Sequence, residues 1–285
     1  MDFTYLHLNK TSDYVDTYTA TILSKIQRHN TNVHIKSNIP MYGCDVWNCY
    51  EISWLNEHGK PEVCIGRIVI PVNSPYIVES KSLKLYLNSF NNTIFISRTV
   101  VKNQIREDLE KLLECTIDIT LTDVHIREEN YIDLSQFECI DDINIDFDWS
   151  KYDATQNNIQ YLVQNQSFIA KEIFGNRFIE TIYSNLLRSR CPVTGQPDFA
   201  TLVIKYDSYI KINRENLLRY IISFRNHQAF HETCIEKIYL DIQSVFTPRN
   251  LLVYAHYLRR GGIDICPYRT TKKIDNPLYI KFMRQ

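Results

Sequence analysis

A chain of 285 residues with 44% hydrophobic and 23% charged side chains and a formal charge of −1 at pH 7 has the make-up of a globular protein whose core needs no covalent staples. The near-neutral balance leaves no polybasic tract for a phosphate backbone, so no direct nucleic-acid partner is expected, and no apolar run approaches the ~18 residues of a membrane span. Eight cysteines are too sparse for a disulfide scaffold and include no CxxC pair to suggest zinc, and seven glycines without GxGxxG or GxxxxGK leave out the common glycine-rich phosphate cradles.

The N-terminus, Met1 to Tyr5, shows no basic region followed by an apolar run, so a cytoplasmic protein is expected. Residues 45–57 and 63–72 are rich in β-branched and aromatic side chains around His58-Gly59, which predicts a hairpin. Residues 82–91 and 101–115 carry apolar side chains at helical spacing, with Ser80 and Ser82 at the first helix start, where hydroxyls cap and free N–H groups face an anion beside Lys81 and Lys84. Strands are predicted at 116–126 and 132–148, and the Asn- and Gln-rich stretch 149–167 reads as a linker. Beyond it come a strand at 199–206, helices at 215–226 and 232–246, and a hairpin of 250–258 with 263–267 around Gly261-Gly262.

That plan is strand, strand, helix, helix, strand, strand, twice, and the sequence echoes itself accordingly. Ser82 to Asn92 falls on Asn216 to Asn226 at an offset of 134, with Leu, Tyr, Ser, Phe and the last Asn identical, and Gly59-Lys60-Pro61-Glu62 falls on Gly195-Gln196-Pro197-Asp198 at an offset two larger. Two modules of one design, 1–150 and 151–285, follow from this. At the larger offset Leu55 stands where Cys191 would be, and nothing after Asn92 matches His231-Glu232, so one catalytic set per chain is expected.

The chemistry-bearing residues concentrate in the second half. Cys191 follows Arg188-Ser189-Arg190 and opens the loop Pro192-Val193-Thr194-Gly195; cationic neighbours favour a thiolate. Asp198 is seven residues on, and Asn226-His227-Gln228-Ala229-Phe230-His231-Glu232 follows. Singly these are a loop cysteine, a turn aspartate and a pair suited to a helix N-terminus; together they are the parts of covalent catalysis at a polarised carbon. Arg259-Arg260-Gly261-Gly262 is either a plain turn or a cationic one whose glycines admit a ligand.

Glu79-Ser80-Lys81-Ser82-Leu83-Lys84-Leu85-Tyr86, Cys191-Pro192-Val193-Thr194-Gly195-Gln196-Pro197-Asp198 and Ser223-Phe224-Arg225-Asn226-His227 running on to Phe230-His231-Glu232 together resemble the motifs of the 7-cyano-7-deazaguanine reductase family, in its long, two-module form. The resemblance implies an α+β tunnelling fold of tandem ββααββ modules, and NADPH-dependent reduction of the nitrile of 7-cyano-7-deazaguanine to an aminomethyl group for tRNA queuosine biosynthesis. It implies Cys191 as the nucleophile that forms a covalent thioimide, Asp198 as proton donor and His231 near the reacting carbon. By the same resemblance Val78, Glu79, Ser80, His231 and Glu232 contact substrate, Ser80, Lys81, Arg260 and Gly261 contact NADPH, and the chain assembles as a homodimer or larger. Two other classes fit part of the pattern: a cysteine-dependent hydrolase or cyclohydrolase on a purine or pterin ring, and a non-catalytic ring-binding module of the same fold.

Overall fold

In a computed structural model, residues 14–28, 39–125, 134–150, 152, 158–163 and 177–273 are described. They form two compact units: Met1–Val33, Cys44–Glu129 and Arg259–Ile265 make the first, and His34–Gly43, Asn130–Leu258 and Cys266–Gln285 the second. No helix among the described residues is long and apolar enough to cross a membrane.

In the first unit β2 (Tyr42–Leu55) pairs with β3 (Pro61–Pro71) and β3 with β5 (Asp118–Thr122), all antiparallel. The short strands β1 (Lys25–Gln27) and β4 (Tyr76–Val78) pair separately. Helix α1 (Ser80–Asn88) follows β4, and α2 (Arg98–Leu113) buries Val101, Ile105, Leu109 and Leu113, the i, i+4 stripe read from the sequence. Ser97 accepts the Val100 N–H at the start of α2, and Glu114 ends it in the left-handed region at φ 56. The core gathers Trp47, Ile68, Leu83, Tyr86 and Phe90.

The second unit holds β7 (Phe178–Arg190), β8 (Pro197–Ser208), β9 (Asn250–Tyr257) and, from Cys266 on, β10 (Ile263–Thr270) in antiparallel succession, with the two-residue β6 (Glu138–Cys139) parallel to β7. A single turn, α3 (Gln160–Val163), lies between β6 and β7, and α4 (Arg214–Ile222) tightens into a 3-10 turn, Ser223–Asn226, before α5 (His231–Phe246). Ile204, Leu217, Tyr220, Phe224, Ile235 and Ile238 are central to its core.

The α+β class with antiparallel sheets is as expected, and each unit repeats the other in detail. Tyr86 donates to Asp108 and Tyr220 to Asp241, while the Ser89 and Ser223 hydroxyls donate to the carbonyls of Tyr86 and Tyr220. Tyr86 meets Phe90 edge-on at 5.1 Å and Tyr220 meets Phe224 at 5.2 Å. A bulge interrupts β2 between Cys49 and Ile52, and β7 between Ser184 and Leu187.

One expected strand is absent. Of 132–148, residues 132 and 133 lie outside the described set, 134–136 form a 3-10 turn, only Glu138–Cys139 is strand, and 143–148 has no regular structure. The alternation of Ile with Asp imitates a half-buried strand, but aspartate is a poor strand former because its carboxylate competes for backbone donors. Asp141 does this, accepting from the Ser184 hydroxyl and the Asn185 N–H. The stretch 149–167, read as a linker, lies largely outside the described residues.

Candidate active site

In the second unit the β7–β8 hairpin ends on Cys191. Arg190 is the last residue of β7 and Pro197 the first of β8, leaving Cys191 to Gln196 as the turn. The Cys191 N–H donates to the Gln196 carbonyl and the Gly195 N–H to the Cys191 carbonyl, both at 2.9 Å. Gly195 takes φ +68, a conformation that side chains other than glycine rarely adopt. The sulfur of Cys191, half-buried, accepts the Thr194 N–H at 3.5 Å.

Asp198 lies one residue into β8, opposite Ser189, and is buried. His231 opens α5, and its Nε2 stands 3.3 Å from Asp198 Oδ1. The imidazole stacks flat on Tyr257 of β9, centroids 3.8 Å apart with 5° between the planes. Glu232 is buried beside it. The helix has no side-chain cap at Phe230, so His231 and Glu232 sit inside the first turn instead of capping it. Cys234, one turn further, was not singled out from sequence. Burial pushes its thiol up to about 12, with the Asp198 and Glu232 carboxylates raising it too and the Ser189 and Tyr257 hydroxyls lowering it. Cys234 is therefore held as a neutral thiol.

The repeat explains why one unit carries this set. Leu55 ends β2 and bridges to Ile94 as Arg190 ends β7 and bridges to Gln228. The counterpart of Cys191 is thus Asn56, one position on from the Leu55 assigned by the sequence offset. Asn56 uses its side-chain oxygen to accept the His58 and Lys60 N–H groups, closing the same kind of turn with an amide in place of a thiol.

The first unit gathers the other motif residues. Val78 ends β4, and Glu79, buried, is the N-cap of α1: its two carboxylate oxygens accept the Lys81 and Ser82 N–H groups, each at 2.7 Å. The expected serine caps are therefore corrected. A carboxylate offers two charged acceptors to two helix-end donors, where a hydroxyl offers one oxygen; Ser80 becomes the first helical residue, and Ser82 turns its hydroxyl to the Glu79 carbonyl. Arg260 and Gly261 form a tight turn in which Arg260 and Ile263 exchange N–H donors. A Cβ on Gly261 would come 3.8 Å from Lys84 Cγ, and one on Gly262 would strike the Glu51 carboxyl at 2.5 Å. Lys84 is ion-paired to Glu51, and the Arg259 guanidinium stacks 3.6 Å over the Tyr50 ring. The α1 motif and the Arg260-Gly261 turn, far apart in sequence, thus share one small region. Tyr50 and Glu51 belong to it without any motif that would have announced them.

Comparison with known proteins follows the same residues. Residues 14–121 match the family described as nitrile reductase, 7-cyano-7-deazaguanine-reductase N-term, and residues 197–276 match the QueF-like protein family. The chain is 42% identical over 266 residues, 93% of its length and 92% of the relative's, to the NADPH-dependent 7-cyano-7-deazaguanine reductase of Desulfotalea psychrophila. The chain belongs to the 7-cyano-7-deazaguanine reductase family. Its likeness to the enzymes of the same name from Paraburkholderia xenovorans, 39% over 282 residues, and Paraburkholderia phymatum, 41% over 281, covers 98% of this chain and 97% of each relative. Membership of this reductase family extends over both units, including the one whose turn carries Asn56.

Proposed function

We propose that the chain reduces the nitrile of 7-cyano-7-deazaguanine to the aminomethyl group, using NADPH, in queuosine biosynthesis. Cys191 is the nucleophile: its thiolate adds to the nitrile carbon, and the carbon–nitrogen π pair freed by that addition takes a proton from Asp198 to give a thioimide. A nitrile is a poor hydride acceptor and a protonated thioimide a better one, so the covalent step has a chemical reason. When bound, NADPH supplies hydride, two equivalents for the four electrons between nitrile and amine. His231, against Asp198 and fixed by Tyr257, orients and replenishes the proton at the nitrogen. Expulsion of the Cys191 thiolate between the two reductions leaves an imine for the second.

Glu232 suits the N–H edge of the guanine-like ring, since a carboxylate accepts charge-assisted hydrogen bonds from adjacent ring and amino N–H groups. Val78, Glu79 and Ser80 are assigned to substrate, and Ser80, Lys81, Arg260 and Gly261 to NADPH. Lysine and arginine fit the 2′-phosphate that separates NADPH from NADH, and glycine at 261 leaves room for a ligand at the turn. The two modules, 1–150 and 151–285, divide this labour, and the chain works as a homodimer or larger.

The observation that carries the reading is the pairing of buried Asp198, on the hairpin whose turn begins at Cys191, with the half-buried His231 that opens α5. NADPH absorbance followed with 7-cyano-7-deazaguanine, on wild type and Cys191→Ala, with intact mass recorded, tests it. Consumption of two NADPH per nitrile and a mass adduct that requires Cys191 support it. An adduct that turns over to an acid without NADPH would move the chain to the hydrolases, and binding with neither outcome would leave a ring-binding module.

A further inference from the structure

Three arginines, Arg188, Arg190 and Arg225, lie close enough near the end of the β7–β8 hairpin for the charges of two to act on the third, and the roles assigned above give none of them a ligand. Arg188 and Arg190 are two apart on β7 and so share one face of the strand, the face opposite that of Ser189, which is buried across from Asp198. Arg225 lies in the 3-10 turn Ser223–Asn226, and the segment after it runs beside β7, with Arg190 bridged to Gln228. Arg188 donates from Nη1 to the Arg225 carbonyl at 2.9 Å. Burial first, then the charges of Arg225 and Arg190, lower the pKa of Arg188.

Among the described residues none of the three has a carboxylate partner. Arg188 leans toward the Phe199 ring at 5.8 Å, and Arg190 donates from Nε to the Gly195 carbonyl at 3.1 Å, bracing the Cys191 turn. Four other described arginines of this unit are treated differently: Arg177 is paired with Asp207, Arg214 with Glu138 and Glu180, Arg219 with Glu215 and Arg269 with Glu236, while the exposed Arg249 stands within the charge influence of Asp207. A fold that neutralises those four and leaves three adjacent guanidinium groups to repel one another has kept a place for an anion from outside. Planar N–H forks match the oxygens of a phosphate two at a time.

We propose that Arg188, Arg190 and Arg225 form a phosphate-ester site, filled by the diphosphate of the reduced dinucleotide. The assignment rests on the reductase reading. In a dinucleotide the diphosphate is one ribose from the nicotinamide, whereas the 2′-phosphate is at the far end. An anion site that begins at the residue before the nucleophile therefore suits the diphosphate, since the nicotinamide must reach the carbon bonded to Cys191.

Inorganic pyrophosphate is the probe. It should raise the melting temperature of the wild-type protein and inhibit NADPH oxidation competitively with NADPH. In the double variant Arg188→Met/Arg190→Met the melting shift should vanish and KM for NADPH rise about tenfold or more, the scale of one or two charge-assisted contacts. The KM for the nitrile, whose assigned contacts are other residues, should stay near wild type. Arg188→Lys/Arg190→Lys, which keeps the charge and loses the fork, should fall between and guards against a misfolded methionine variant. A pyrophosphate shift that survives in the methionine variant overturns the site. A shift that is lost while KM for NADPH holds overturns the dinucleotide as occupant and leaves a free-anion site. If wild type oxidised no NADPH the reductase reading would fall, and the melting arm would still decide the anion site.

Discussion

His231 Nε2 and Asp198 Oδ1 lie 3.3 Å apart, with the imidazole held flat against Tyr257. In the proposed mechanism Asp198 gives up a proton and recovers it within each turnover, a task that such a neighbour serves. Asp198→Asn removes the transferable proton at constant shape, and kcat should fall by about 10²- to 10⁴-fold, the usual range for a positioned acid. His231→Gln should lower kcat by less, because Asp198 remains. Steady-state rates for both, beside single-turnover adduct formation by mass, check the assignment: an Asp198→Asn variant that forms and reduces the adduct at the wild-type rate removes Asp198 from the proton path.

The thiols should separate by burial. Cys234 at about 12 and Cys64 at about 11, both raised first by burial, present roughly one thiolate in a thousand or fewer at pH 8. Cys191 is half-buried and Cys139 exposed. Brief treatment with iodoacetamide followed by peptide mass spectrometry should therefore label Cys139 and Cys191 and spare Cys234 and Cys64. The nitrile substrate should protect Cys191 and leave Cys139 labelling unchanged. Equal labelling of Cys191 and Cys234 would contradict the assignment of one nucleophile.

Glu79 has two roles that a pair of variants can part. As N-cap it satisfies two N–H groups of α1, so Glu79→Ala should cost about 1 kcal/mol of stability, measured by denaturant unfolding. Glu79→Gln keeps one acceptor oxygen and should cost less, while losing the charge proposed to meet the substrate. A raised KM for the nitrile in Glu79→Gln, out of proportion to its small stability loss, is the expected outcome; an unchanged KM would leave Glu79 as a cap alone.

What could be read from sequence, and what could not, follows from the physics of each segment. Helix α2 was legible because Val101, Ile105, Leu109 and Leu113 keep one phase for the whole length of the helix. Strand β7 was not, although it carries Cys191 to its place. Its buried residues run Ile182, Ser184, then Leu187 and Ser189, and the bulge between Ser184 and Leu187 breaks the period of two on which strand reading depends. The motif residues were all visible, yet the His231–Asp198 contact, the Glu51–Lys84 pair and the Arg259–Tyr50 stack join residues that only the folded chain brings together. Aspartates alternating with isoleucines misled in the opposite direction, because pattern counts side-chain polarity and ignores what a short carboxylate does to its own backbone.

Acid should loosen the second unit through Arg214. Glu138 is held below the ordinary carboxylate range by its hydrogen bond from Arg214, 2.6 Å away. Glu180 is also lowered: burial raises it, but hydrogen bonds from Tyr206 and Arg214 outweigh that cost. Both folded-state pKa values lie beneath the unfolded value of about 4.3, so the stabilisation is full above that pH and is lost as pH falls through the folded values. Because Glu138 is half exposed, solvent screening limits the whole contribution to the order of 1 kcal/mol. Arg214→Met should therefore be less stable than wild type by a constant amount between about pH 5.5 and 8, with the gap narrowing below about pH 4. Urea unfolding across that range measures it; a gap that stayed constant as the solution became more acid would mean that Arg214 acts through packing and not through its two carboxylates.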